Sequence, residues 1–345
     1  MMTALEATPT AQVAARALEA ARTAVDPALR EAVDALPGAL RRLAGYHFGW
    51  WDRHGVPEAG DPGKALRPAL ALLAAEAVGG STNAALPAAV AVELVHNFSL
   101  IHDDVMDGDE TRRHRPTVWK VFGVGHAILA GDALLALAFE AIATADRPAG
   151  DGTRMLAAAV NDLLEGQGED LAFETRDDVR VEQCLAMARH KTGALLECSA
   201  GLGALFGGGT AAQVAQLRAF GADLGLAFQF ADDLLGIWGD PAVTGKPVYS
   251  DLRSRKKSLP VVAALSGGSP VAGPLRDAYS GEGELSEAEL ERLAAAIDLA
   301  GGRAWCLAQA DELLERALDA LTMGGPLTGT TPLAAVAALA ARRDR

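Results

Sequence analysis

The sequence predicts an all-α chain folded as a single domain. Three observations carry that prediction. Alanine and leucine are abundant, aromatic residues make up only 5% of the 345 residues, and strand formers are scarce throughout. No segment shows sustained period-2 alternation, whereas apolar residues recur at helical spacing along most of the chain. The breaks between helical stretches are short and bring no shift in composition, so no linker is expected to divide the chain.

The elements follow in order. The N-terminal residues mix Glu6, Arg16, Glu19 and Arg22 into an alanine-rich stretch and lack the apolar core of a signal peptide. A helix is expected over residues 88–107, where no Gly or Pro intervenes, with Pro87 suited to its start. The longest apolar stretch, residues 126–145, is interrupted by Asp132 and Glu140. A membrane span needs about 20 predominantly apolar residues, so this stretch is expected as a buried helix. Residues 195–205 and 214–238 keep helical spacing despite internal glycines. Residues 285–299 and 304–321 are cleaner. The first of these opens on a capping box of Ser286 with Glu289 and a staple of Leu285 with Leu290.

Charge narrows the function. The chain has 31 basic and 45 acidic residues, a formal net charge of -14, which disfavours a nucleic-acid surface because phosphate affinity needs massed Lys and Arg. Cys184, Cys198 and Cys306 lie too far apart in sequence for a close metal-ligand spacing and form no disulfide framework. An anionic substrate must therefore be held by local cations or by a bridging metal. A soluble cytoplasmic protein without a membrane span is expected.

Two carboxylate clusters stand out, Asp103-Asp104-Val105-Met106-Asp107 and Asp232-Asp233, the second followed by Asp240. Each comes at the end of a strongly apolar helical stretch. Asp103 and Asp107 are four residues apart and share one helix face, where like charges repel. Such pairs call for a cation. No Cys or His cluster accompanies them, which disfavours zinc and copper, and the EF-hand spacing is absent. Mg²⁺ is commonly held by one or two carboxylates completed by substrate phosphates and water. The pattern suggests a diphosphate clamped by several Mg²⁺ ions. Cations adjoin both clusters: Arg112 and Arg113 after the first, Lys246, Arg253, Arg255, Lys256 and Lys257 after the second, with Lys64 and Arg67 upstream.

The whole pattern resembles the trans-isoprenyl diphosphate synthases, the polyprenyl synthetases. DDVMD at 103–107 with Arg112-Arg113 matches the first aspartate-rich motif, and FQFADDLLGIWGD at 228–240 the second. TGKPVYSDLRSRKKSLP at 244–260, GKALRP at 63–68, ELVHNFSLIHDD at 93–104, AGDALL at 130–135, GQGED at 166–170 and KTG at 191–193 occur in the family's order. The resemblance implies an all-α bundle around a central cavity, a homodimer, and two aspartate motifs facing each other across the cavity mouth. It implies Mg²⁺ ions, three in number, bridging an allylic diphosphate. Asp103 and Asp107 match ligands of Mg²⁺, with Asp104 supporting them, and Asp232 matches the ligand of a further ion beside Asp233. Arg112, Lys191, Lys246 and Lys256 match the cations on the allylic diphosphate. Lys64, Arg67, His96 and Arg113 match those holding isopentenyl diphosphate. Thr192 and Gln229 match polar groups near the allylic carbon. His102 is expected in a supporting role.

Product length in this family follows cavity depth, and residues shortly before the first motif form part of the floor. Here they are Phe98 and Ser99, which resemble a geranylgeranyl diphosphate synthase, with a farnesyl diphosphate synthase as the next choice. Gly236 stands where many members carry a third aspartate, and weaker metal binding is the most that change is expected to cost. Residues 60–63 depart from the commoner Gly-Gly-Lys. A class I terpene cyclase is the rival within enzymes, and a non-catalytic subunit of a heteromeric synthase is the rival outside them. The first would not need Lys64, Arg67, His96 and Arg113, and the second would be expected to lose its aspartates.

Overall fold

The computed structural model describes residues 9–61, 63–145, 148–241, 247–281, 283–323 and 325–342. Lys246, matched above to a diphosphate cation, lies outside them. Helices dominate, and among the described residues the only sheet is a two-stranded hairpin. Contacts divide the chain into two compact units, the first built mainly from residues 1–160 and the second mainly from residues 161–197 and 219–320.

In the first unit α1 (Pro9–Asp34), α3 (Leu66–Ala77), α4 (Thr82–Met106) and α6 (Val124–Ala143) form the core. Helix α4 packs on both α3 and α6. Its buried Ala85, Ala88, Ala89 and Ala91, and the buried Ala69, Ala71, Ala74 and Ala75 of α3, present little side chain and let helix backbones approach. The alanine-rich composition is thus used at helix contacts.

Helix α4 begins earlier than the sequence suggested. Ser81 caps it, accepting a hydrogen bond from the Ala84 N–H at 3.3 Å, and Pro87 lies inside the helix rather than at its start. Serine is a favoured cap, and one lost backbone bond early in a long, buried helix is offset by burial along its length. Helix α6 also departs from expectation. One side packs on α4, but Val124, Ile128 and Leu129 are 49%, 42% and 56% exposed, so the helix is only partly buried. By length and composition α4 and α6 could each cross a membrane, and most of α4 is spent inside the protein.

The second unit contains α8 (Val181–Ala188), followed without a break by a π-helical turn, Arg189–Gly193. Helix α10 (Ala211–Trp238) carries the second aspartate pair, and α11 (Ser250–Arg253) and α12 (Leu259–Ser266) follow it. Ile237, Leu252, Val261, Leu275, Leu290 and Ile297 form a continuous apolar core there. The helix Glu287–Leu299 starts where the capping box placed it: the Glu289 carboxylate accepts from the Ser286 N–H at 2.8 Å.

Among the described residues, five non-glycine residues take left-handed backbone angles: Ala65, Arg113, His114, Tyr249 and Arg255. Ala65 precedes α3 at φ 50° and separates Lys64 from Arg67. That conformation costs an L-residue roughly 1–2 kcal/mol. Ala65→Gly is expected to stabilise the protein by about 1 kcal/mol, a rise of roughly 1–2 °C in Tm for a chain of this size. A scanning-calorimetry trace showing a loss would mean that the Ala65 methyl group contributes packing that outweighs the strain.

Candidate active site

The first aspartate cluster closes α4, and its members face different ways. Asp103 is half-buried, Asp107 is exposed at the helix C-cap, and Asp104 is 1% exposed. Consecutive helical residues are rotated by about 100°, so one member of an Asp-Asp pair can turn inward while its neighbour stays out. Asp104 accepts from Arg112 Nε at 2.6 Å, while its buried Oδ2 has no hydrogen-bond partner among the described residues. Burial pushes the Asp104 carboxyl up to about 6, although Arg112 opposes the shift. The bond uses Arg112 Nε and leaves both Nη atoms out of it.

Arg112 belongs to the hairpin of β1 (Thr111–Arg112) and β2 (Arg115–Pro116). Arg113 and His114 form its turn at φ 51° and 60°. Two-residue turns with both central angles positive favour Asn-Gly, so this is a strained choice that points Arg113 back into the protein. The guanidinium rests on Gly63, where a Cβ would lie 2.8 Å from Arg113 Nη2. Gly63 itself has φ 77° and donates its N–H to Asp61 at 2.9 Å, while its carbonyl accepts from Arg22. The departure at residues 60–63 therefore keeps the one glycine that Arg113 requires. Arg115 anchors the far side of the turn on the Trp51 carbonyl at 3.1 Å and on Glu58 at 2.8 Å.

His96 lies one helical turn before Leu100 on α4. Burial first, then Arg67, Arg113 and Arg112, hold its pKa well below that of ordinary histidine. Arg67, Arg112 and Arg113 thus lie near enough to His96 to favour its neutral imidazole. Lys64 is exposed just before Ala65. His47 Nε2 lies 3.1 Å from Asn97 Oδ1, and Asn97 Nδ2 donates to Glu93 Oε1 at 3.0 Å. Since the Asn97 oxygen must accept, His47 carries its proton on Nε2. Burial, with Arg113, Arg112 and Arg115, lowers its pKa to about 3.

The second unit repeats the division of labour. On α10 Asp232 is exposed and Asp233 is 5% exposed. Thr192 Oγ1 donates to Gln229 Oε1 at 2.5 Å, and Gln229 Nε2 donates to Asp233 Oδ1 at 2.6 Å. The other oxygen, Asp233 Oδ2, accepts from the Leu259 N–H at 2.8 Å, in the first turn of α12, where a carboxylate complements the helix dipole. Burial pushes Asp233 up to about 7, Lys256 pulls against that shift, and Asp251 adds to it.

Lys191 sits in the π-helical turn and donates to Asp170 Oδ2 at 2.6 Å. Burial alone would raise the Asp170 pKa, but Lys256 and Lys191 together hold it below the ordinary value. In the sequence only its place in GQGED marks Asp170, the partner of Lys191. Lys256 follows Arg255, which is at φ 51°. The Lys256 carbonyl accepts from the buried Tyr279 hydroxyl at 3.1 Å, and the Lys257 carbonyl from Cys184 Sγ at 3.3 Å. Gly236 also finds its reason: a Cβ there would lie 2.4 Å from Asp251 Cγ. The space of the missing side chain is taken by a carboxylate from α11. Asp240 lies beyond the end of α10 and so does not share its helical face with Asp232.

Two measurements test this geometry. Asp233 ionises near 7 when folded against a usual value of 3.8. The unfolded chain therefore releases this proton first, and the contribution to stability falls as pH rises from about 4 to about 7. Asp233→Asn removes that slope, so its Tm relative to wild type is expected to be higher at pH 8 than at pH 5; a gap that does not change with pH would mean that Asp233 titrates normally. Gly236→Asp places two carboxylates in one space and is expected to cost about 2 kcal/mol or more. Adding Asp251→Ser should recover much of that loss in a thermal melt, and no recovery would refute the crowding.

Residues 58–297 match the polyprenyl synthetase family. A (2E,6E)-farnesyl diphosphate synthase of Mycobacterium tuberculosis is 48% identical over 300 residues, covering 86% of this chain and 83% of that one. A geranylgeranyl diphosphate synthase of the same organism is 47% identical over 306 residues, covering 88% of this chain and 87% of the relative. The crystal structure of a polyprenyl synthetase from Streptomyces coelicolor superposes with a TM-score of 0.90 at 48% identity, covering 95% of this chain and 98% of that one. With the helical fold and the paired clusters of acid and base, the chain belongs to the polyprenyl synthetase family and is a prenyltransferase.

Proposed function

We propose that the protein condenses isopentenyl diphosphate head to tail with an allylic diphosphate and makes geranylgeranyl diphosphate as its main product. One observation carries the reaction: each Asp-Asp pair lies near the C-terminal end of an apolar helix with its second carboxylate buried and its first left more open, beside lysines or arginines. Among the described residues no three His, Cys, Asp or Glu side chains gather to hold a metal unaided. That fits Mg²⁺, which takes its remaining ligands from water and substrate phosphates, and the oxygen-only donor set suits it. Asp103, Asp107 and Asp232 would be the ligands. Asp104 and Asp233 support them from inside the protein.

When bound, Mg²⁺ offsets the negative charge that develops on a departing diphosphate. Arg112, Lys191 and Lys256, with Lys246 from outside the described residues, bind the allylic diphosphate and stabilise the same charge through fixed positions. Thr192 and Gln229 hold each other and Asp233, and present polar atoms beside the allylic carbon. Arg67, Arg113 and Lys64 bind isopentenyl diphosphate, and neutral His96 donates a hydrogen bond among them. The allylic C–O bond breaks, the isopentenyl alkene supplies the electron pair of the new C–C bond, and the lost proton passes to the released diphosphate. No protein base is required.

Phe98, 4% exposed on α4, supports the twenty-carbon product as the side chain at which the growing chain stops. Farnesyl diphosphate is the second reading, because relatives of nearly equal identity bear both names. The exposed Val124, Ile128 and Leu129 of α6 support a homodimer, since a second copy would cover them.

The test incubates purified protein with Mg²⁺, labelled isopentenyl diphosphate and each allylic primer in turn, and separates the dephosphorylated products. A geranylgeraniol peak is expected, with turnover reduced at least ~100-fold in Asp103→Ala and products lengthened in Phe98→Ala. Absence of condensation with every primer would overturn the reaction, and a different wild-type chain length would overturn the product alone.

A further inference from the structure

AGDALL at 130–135 was matched as a motif, yet none of its residues has a part in the chemistry above. The structure connects it to Phe98 through His102. Phe98 and His102 are one turn apart on α4, and their rings meet edge to face with centroids 4.9 Å apart and planes 72° apart. His102 is in turn held by α6. Its Nε2 lies 3.0 Å from the Ile128 carbonyl oxygen, which can only accept, so that nitrogen carries a proton. Gly131, one turn nearly completed beyond Ile128, makes room for the ring. A Cβ at 131 would lie 2.2 Å from His102 Nε2 and 2.4 Å from Cδ2, closer than any real contact. Asp132, also in the motif, places Oδ1 3.8 Å from the same nitrogen.

We propose that His102 is a positioning residue for product length: seated on Gly131 and bonded to the Ile128 carbonyl, it fixes the direction of the Phe98 ring. The proposal rests on the reading of Phe98 as the stop for the growing chain. A helical phenylalanine has two ordinary χ1 wells, and moving between them swings the ring across several ångströms. An edge-to-face partner biases such a choice by a factor of roughly 2–10. The bias comes from the seat on α6, so the setting of the stop depends on a helix that does not carry it. The carboxylates of the first motif are not involved: Asp103 and Asp104 point from other faces of α4.

The experiment compares product-length distributions of the full-length protein at matched conversion for Gly131→Ala, His102→Gln, His102→Phe and Phe98→Ala, and for Phe98→Ala combined with Gly131→Ala. Gly131→Ala displaces the His102 ring, and the share of products longer than the main wild-type product is expected to rise about three-fold or more. His102→Gln keeps a donor for Ile128 but loses the ring, and should do the same. His102→Phe keeps a ring edge for Phe98 but loses the donor for Ile128, and should shift the distribution less than His102→Gln does. In the double variant, Gly131→Ala should add nothing to Phe98→Ala, since the side chain it acts through is gone. A purely structural role for His102 would lower turnover without moving the ratio of lengths. Longer products from Phe98→Ala with unchanged ratios in Gly131→Ala and His102→Gln would overturn the proposal and leave the Phe98 reading intact. Unchanged products from Phe98→Ala would overturn both.

Discussion

Charge burial at the end of α4 and in the last turns of α10 is the constraint on which each aspartate pair depends. A carboxylate taken out of water needs either a proton or a partner; among the described residues Asp104 keeps one oxygen without a donor, while both oxygens of Asp233 are bonded, but by neutral donors. Asp104 has Arg112 on one oxygen only. Asp233 has a glutamine and a backbone N–H, with Lys256 acting at longer range. Both groups are therefore balanced near neutrality instead of being locked as ions. If Asp103 and Asp232 hold a polyvalent cation as proposed, that cation would shift the balance towards the carboxylate.

The cations are aimed by backbone strain. Arg113 is in a left-handed turn, Arg255 is left-handed immediately before Lys256, and Ala65 is left-handed between Lys64 and Arg67. Each strained residue is over-determined by its surroundings: Arg113 by Gly63 and the anchored Arg115, Arg255 by bonds to the Ala278 and Gly283 carbonyls at 2.8 Å. Long basic side chains lose much entropy when ordered, and if they bind substrate as proposed, fixing the backbone beneath them would lower the share that binding must supply.

Much of this was legible in the sequence. Helical spacing located α10 closely, and the capping box located the start of Glu287–Leu299. The aspartate pairs and their cations stood out because such charges at the ends of apolar helices need an explanation. Three things were not legible. The start of α4 was obscured because Pro87 is a conventional start signal, while the true cap, Ser81, lies among other polar residues. The split within each Asp-Asp pair depends on which face of the helix is buried, which a dipeptide does not encode. The contacts of Asp251 with Gly236 and of Gly131 with His102 join distant parts of the chain, and a glycine does not declare what will occupy its space.

The π-helical turn at Arg189–Gly193 behaves as a phase shift in an otherwise regular helix. A turn with one extra residue rotates everything after it by about 100° relative to an uninterrupted α-helix. Lys191 can thereby reach Asp170 while Thr192 reaches Gln229, although the buried faces on either side keep their own registers. Deleting any one residue of the turn would restore ordinary α-helical bonding and so improve the helix locally. It would also bring the two halves back into a common phase and pull at least one of those side chains off its partner. The less regular helix is here the more informative one: its imperfection stores the angular offset between two neighbouring polar side chains.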